Sequence, residues 1–306
     1  LIELDRDEKG IFAKRTNKLP ISKFPVNKKQ TDKTGTIVVW ERPVKNPEFG
    51  AYYASIDPVS EGKTTTSDSL CSIFVYKNAT EVTRTTISGD VEQFIEKDKV
   101  VAAWCGRFDD INKTHERLEM IIEWYNAWTL VENNISLFIQ HMIARKKQRY
   151  LVPKQQILFL KDLGSNRTVY QEYGWKNTGT LFKSHLISYA IEFLREVIDE
   201  ETDVNGVVIN QTLGVERIPD PMLIKEMLAY YPGLNVDRLV AFGALIAFVR
   251  IQQSNRGYSK RRESEDNSLV NSEKFSKLKY SPFKNIGTKK SNNRSRPSRS
   301  GFKNYK

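Results

Sequence analysis

Three acidic residues stand where chemistry could be built. Asp57 follows the apolar run 51–56 and precedes Pro58, Glu132 ends the run 128–131, and Asp237 precedes the apolar-patterned stretch 238–251. Hard divalent cations take oxygen ligands and keep some water for exchange, so carboxylates converging on one point are what metal-dependent phosphodiester hydrolysis needs. If the two runs are neighbouring strands and a helix packs across them, the three side chains meet at one edge of a sheet. Two ions ~3.5–4 Å apart could there activate a water and stabilise a leaving oxygen. Each residue also has a plainer reading: an Asx turn at Asp57-Pro58, a solvated strand end at Glu132, a helix cap at Asp237. Singly, the plainer readings prevail; it is the order strand Asp, strand Glu, helix Asp that sets the three apart.

The elements that must position them are legible as changes of period. Residues 36–40, 51–57, 69–76 and 81–87 are β-branched and aromatic runs, the last two reading as hairpin partners across 77–80. Leu118, Ile121, Ile122 and Tyr125 fall at i, i+3, i+4 and i+7, the spacing of an amphipathic helix. Further helices are expected at 135–147, 181–198, 221–230 (opened by Asp220, with Pro221 in its first turn) and 238–251, and a strand within 151–160. Strands first, then helices alternating with strands, predict an α/β mixed sheet over residues 36–253. Residues 1–35, with Pro20 and Pro25 and neither period, read as a linker or arm, and 254–306 as a basic tail unable to order itself alone.

Charge follows the same partition. The 306 residues carry 48 Lys+Arg and 37 Asp+Glu, a surplus of +11. Residues 254–306 hold 15 basic and 4 acidic residues and 1–35 hold 9 and 5, which leaves 24 and 28 for the mildly acidic middle. That excludes a uniformly basic DNA-coating protein, and 39% hydrophobic content excludes a disordered chain. Cys71 and Cys105 are the only cysteines and lack partners at ligand spacing, so a zinc site or disulfide framework is not expected, which a reducing cytosol permits. No run reaches the ~18 residues of a membrane span or the form of a signal peptide. The start at Leu1 suggests a piece of something longer.

Five short motifs stand in order: 35–43 (GTIVVWERP) with 52–58 (YYASIDP), Gly62 and 67–69 (SDS); 130–134 (LVENN); 174–178 (GWKNT); 220–228 (DPMLIKEML); and 237–240 (DRLV) with Ala241 and Ala244. Together they resemble the nuclease domain of large terminase subunits from tailed double-stranded DNA bacteriophages. The resemblance spans residues 35–252. It implies a ribonuclease H-like mixed sheet flanked by helices, two Mg2+ or Mn2+ ions, and cutting of concatemeric DNA in the cytoplasm of an infected bacterial host. By match Asp57 bridges both ions, Glu132 holds one, Asp237 completes the site and Asp68 is a fourth candidate ligand. Many relatives carry a second Asp after the last acid; here that place is Arg238. The implied partners are double-stranded DNA, an ATPase domain in cis that residues 1–35 would join, the portal and the small terminase subunit; the isolated domain is expected to be a monomer.

Other features weigh less. Residues 62–65 (GKTT) suggest a P-loop, but Asp57 stands where its first Gly is required. His115, His141 and His185 lie on expected helices without an acid at ligand spacing, and Trp124, Tyr125 and Trp128 read as core. Arg145, Lys146, Lys147 and Lys176 are the candidates for contact with a phosphate backbone, against the reading of a charge run as a solvated face. The tail's Lys, Arg, Tyr and Phe suit sequence-blind phosphate attraction and base stacking, or a docking strip for a partner. Two alternatives stay open: a non-catalytic nucleic-acid-binding or assembly module on the same fold, and another ribonuclease H-like nuclease such as a junction resolvase.

Overall fold

The computed structural model describes residues 1–22, 32–62, 69–85, 91–154, 172–176, 180–231 and 233–269. The elements, in chain order, are β1 (Ile2–Asp7), β2 (Gly10–Arg15), β3 (Val38–Val39), β4 (Tyr52–Asp57), β5 (Cys71–Lys77), β6 (Thr80–Thr85), β7 (Val91–Glu96), β8 (Lys99–Gly106), α1 (Ile111–Tyr125), β9 (Trp128–Val131), α2 (Leu137–Ala144), α3 (Thr180–Arg195), β10 (Val197–Thr202), β11 (Val208–Leu213), α4 (Pro221–Ala229) and α5 (Asp237–Leu269). Five strands form one mixed sheet in the order β3-β8-β5-β4-β9. β4, β5 and β8 are antiparallel neighbours, and β9 adds to the other side of β4 in parallel. The architecture is therefore mixed α/β, as the pattern of elements predicts.

Side-chain alternation sorts the sheet into two buried faces. Tyr52, Ala54, Ile56, Ile73 and Val75 pack with Leu118, Ile121, Ile122 and Tyr125 of α1 and Phe138, Ile139 and Met142 of α2. On the opposite face Tyr53, Phe74, Tyr76 and Leu130 pack with Leu186, Ala190 and Phe193 of α3, Leu223 of α4 and the apolar first half of α5. Tyr125 is core, as expected, and meets Tyr52 edge-on, while Trp124 and Trp128 are only partly buried, Trp128 packing against Phe248. The small residues of α5 allow close crossing, since a side chain on Gly243 would come within 2.6 Å of the Leu186 carbonyl of α3.

Several elements differ from the sequence reading. The stretch 1–35, read as a linker or arm, contains the β1–β2 hairpin, whose Ile2 and Leu4 are buried on the α1 face. Its apolar alternation is short and hidden among Lys, Asp and Glu, and Gly10 supplies the left-handed turn at φ +124°. β5 and β6 are not hairpin partners. β5, buried along its whole length, pairs with β4 and β8, while β6 pairs with β7 in a two-stranded arm inserted between β5 and β8. The helix expected to reach 198 stops at Arg195, and the polar β10–β11 hairpin follows, closed by Asp203, which accepts from the backbone N–H groups of Asn205 and Val207.

Leu1–Asn255 form one compact unit. α5 continues past residue 253 to Leu269, and residues 270–306 lie outside the described residues. Among the described residues no helix is long and apolar enough to cross a membrane. Cys71 and Cys105 are free and buried.

A candidate carboxylate centre at one end of the sheet

Asp57 is the last residue of β4, an interior strand of the sheet, and Glu132 directly follows β9. The parallel register pairs Ile56 with Val131, and the Glu132 N–H donates to the Ile56 carbonyl at 2.9 Å, so the two acids emerge side by side. Asp237 opens α5, and one of its oxygens accepts from the Leu70 N–H at 2.8 Å and the Asn235 amide at 3.1 Å. Leu70 leads into β5, where Ser72 lies opposite Asp57. The sheet ladder and the head of one helix thus bring Asp57, Glu132 and Asp237 to the same edge; Asp68, the fourth candidate, lies outside the described residues.

Their electrostatics are those of crowded like charges. Burial pushes the Asp57 carboxyl well above the usual range, and the charges of Glu132 and Asp237 add to that push, with a direct hydrogen bond to Glu132. Burial raises Asp237 to about 6 against the pull of Leu70, Asn235 and Lys183. Glu132 is held by the Asn134 amide at 2.6 Å. As they stand, no three His, Cys, Asp or Glu side chains among the described residues are drawn around a single point. The donors are nonetheless all hard carboxylate oxygens whose mutual repulsion a divalent cation would relieve, so their chemistry fits Mg2+ or Mn2+ and not a soft metal.

Arg238 faces away from this centre. Its guanidinium is buried, donates to the Ile21 carbonyl at 2.8 Å and lies 3.7 Å from Glu226 of α4. Arg238 is therefore a structural tie between the N-terminal segment, α4 and α5. Glu226 also accepts from the Leu239 N–H at 2.9 Å, capping the first turn of α5 from outside the helix.

The basic candidates separate. Lys176 is exposed and follows Trp175, which bridges in parallel to Glu132, so Lys176 borders the acids. Gly174 permits that approach: at φ +68° it sits where a side chain would come within 2.2 Å of the Val131 carbonyl. Arg145, Lys146 and Lys147 lie beyond the far end of α2, about 12 Å of helix from the segment carrying Glu132. Lys146 is exposed there, but Arg145 and Lys147 pair with the buried Glu119 of α1 at 2.8 and 2.5 Å, joined by Arg6 at 3.1 Å and His141 at 2.7 Å. His141 thus has an acid partner, which its spacing in sequence hides because Glu119 lies 22 residues away on another helix.

Burial alone would raise the Glu119 carboxyl, but His141, Lys147 and Arg145 hold it down to about 2. A depressed acid contributes stability that is present above its ordinary pKa, 4.5, and lost as pH falls toward 2. The shift corresponds to about 3 kcal/mol. Melting of wild type and Glu119→Gln should accordingly differ by roughly that amount at pH 7 and converge toward pH 2.

Three residues at the site carry no sequence signal. Lys183 of α3 donates to the Leu234 carbonyl at 3.4 Å, near the head of α5. Arg107 donates to the carbonyls of Gly62 and Ser69, pinning both flanks of segment 63–68. Asn235 joins Asp237 to the Ser69 hydroxyl. Comparison of the chain with protein-family models, curated proteins and solved structures gives no match.

Proposed function

We propose that this chain is a metal-dependent DNA endonuclease of ribonuclease H-like architecture, the nuclease part of a viral packaging terminase acting on concatemeric double-stranded DNA. The observation that carries the proposal is the meeting of Asp57, Glu132 and Asp237 at one end of the sheet, from two adjacent parallel strands and the start of a helix. The sheet order, three antiparallel strands with a fourth added in parallel beside the first, supports the fold assignment.

Asp57 feels the charges of both other acids, and Asp57, Glu132 and Asp237 would together hold the ions. When bound, such ions lower the pKa of a water and stabilise the departing 3′ oxygen. The protein's part is positional. Asn134 orients Glu132, the Leu70 N–H and Asn235 orient Asp237, and Lys176, next to the Trp175 bridge to Glu132, would supply a salt-sensitive contact with a DNA phosphate.

The test is conversion of supercoiled plasmid by the purified chain with Mn2+. Glu132→Gln keeps an acceptor for Asn134 and should slow cleavage at least ~100-fold with melting little changed. Undiminished cleavage would remove Glu132 from the site. The buried, inward-turned Arg238 favours a second reading, a non-catalytic DNA-binding module. That reading requires no Mn2+ binding by calorimetry and DNA retention that vanishes without residues 254–306.

A further inference from the structure

A groove of about 400 Å3 lies beside β9 and includes none of the three acids. Phe49, Trp128 and Tyr173 wall it, Lys146 and Arg149 join them, and no carboxylate lines it. Phe49 is half exposed and both cations are exposed. Trp128 is held by Phe248 at 5.4 Å and Tyr53 at 6.3 Å between ring centroids, and meets Phe49 at 5.7 Å. Lys146 occupies an unusual place. At the end of α2 the Lys147 N–H reaches the Met142 carbonyl at 2.8 Å and the Lys146 N–H the Ile143 carbonyl at 2.9 Å, with Lys146 left-handed at φ +59°. Glycine is the usual residue at such a helix end, because a Cβ is strained there. The backbone gains nothing from lysine at this position; what lysine brings is a charge beside the rings.

We propose that this groove is a stacking site for unpaired bases of a nucleic-acid strand whose phosphates Lys146 and Arg149 hold. Aromatic rings stack on the face of any base, and a duplex keeps those faces covered, so the ligand is single-stranded. The two cations add a salt-sensitive hold on phosphate, and the lack of a lining carboxylate suits an anionic strand. A proline-rich peptide would use the rings and leave the cations idle. A short ledge joins the groove to the acids. Tyr173 stands two residues before Trp175, which bridges to Glu132, and three before the exposed Lys176. Trp128 opens the strand that Glu132 follows, about 13 Å away at a rise of ~3.3 Å per residue. The inference extends the nuclease reading and rests on it for the strand's route, from the acids past Lys176 and Tyr173 to the rings. Stacking itself needs no ion.

Fluorescence anisotropy of the full chain in chelator, with a labelled short oligothymidylate and an abasic strand of the same length, tests this. The abasic strand sets apart residues 254–306, whose basic side chains attract phosphates with or without bases. Wild type should bind the thymidylate about tenfold more tightly than the abasic strand, and Phe49→Ala should erase that preference. Lys146→Gly should bind the thymidylate several-fold more weakly with a shallower salt dependence, yet melt no lower than wild type, since glycine relieves the left-handed strain. Equal binding of the two strands by wild type, an intact preference in Phe49→Ala, or full affinity in Lys146→Gly would overturn the inference. So would a proline-rich peptide bound in place of the thymidylate. A chain that shows the preference but cleaves no plasmid with Mn2+ keeps the stacking site and loses the nuclease reading; cleavage without the preference does the reverse.

Discussion

Asp57→Asn is expected to abolish Mn2+-dependent cleavage, by about 10³-fold or more, while making the ion-free protein more stable. The loss follows from removing the acid that lies between the other two; a group that positions ions supplies several kcal/mol of transition-state stabilisation. The gain follows from the sign of the linkage. Burial and the charges of Glu132 and Asp237 raise the Asp57 carboxyl in the folded state, so the stability it contributes is full below the ordinary Asp range and lost as pH rises through the folded pKa. At pH 7.5 in a chelator the substitution should therefore raise the melting temperature. At pH 4 the difference should nearly vanish. Thermal melts at the two pH values read the gain and plasmid cleavage reads the loss. Stabilisation with undiminished cleavage would make the cluster a structural feature and not a catalytic one.

Glu226→Ala should be the most damaging change away from the carboxylates, at about 3–5 kcal/mol. It strips the buried Arg238 of its carboxylate and leaves the Leu239 N–H without its acceptor. Burial pushes the Glu226 carboxyl up to about 7, against the pull of Leu239 and Arg238, so near neutral pH its charge is only marginally held. Glu226→Gln keeps the acceptor and should cost less than about 1 kcal/mol. Because Asp237 is the first residue of the helix that Glu226 caps, the Ala variant should also lose Mn2+ affinity and the Gln variant should retain it. Urea unfolding of both variants, paired with the titration, decides whether the cap positions the acid or serves stability alone.

What could be read from the sequence was whatever local pattern determines. The strand carrying Asp57, the short run ending at Glu132 and the helix opened by Asp237 each announce themselves through an apolar run and its terminating residue. The β1–β2 and β10–β11 hairpins do not, because their apolar alternation is short or exposed and their turn residues supply the signal. Pairing was the least legible property: β5 and β6 adjoin in sequence yet belong to different sheets, because β5 is already flanked by β4 and β8. The site divides in the same way. Asp57 and Glu132 come together through strand register, whereas Leu70 and Glu226, which hold Asp237 and the first turn of α5, belong to other segments of the chain. Arg145 and Lys147 looked like free positive charge only because Glu119, which binds them, lies on another helix.

Cys71 begins β5 beside the acids, and Cys105 stands opposite Ser72 on β8. Burial pushes the Cys71 thiol well up and the Cys105 thiol to about 12, so at neutral pH neither presents appreciable thiolate to an alkylating reagent while the sheet is closed. The chain therefore carries its own clock for breathing at the end of the sheet that holds the acids. Its labelling rate counts openings of β5 from β8, and any bound species that seals that edge, ion or nucleic acid, should slow it without a probe having to be introduced.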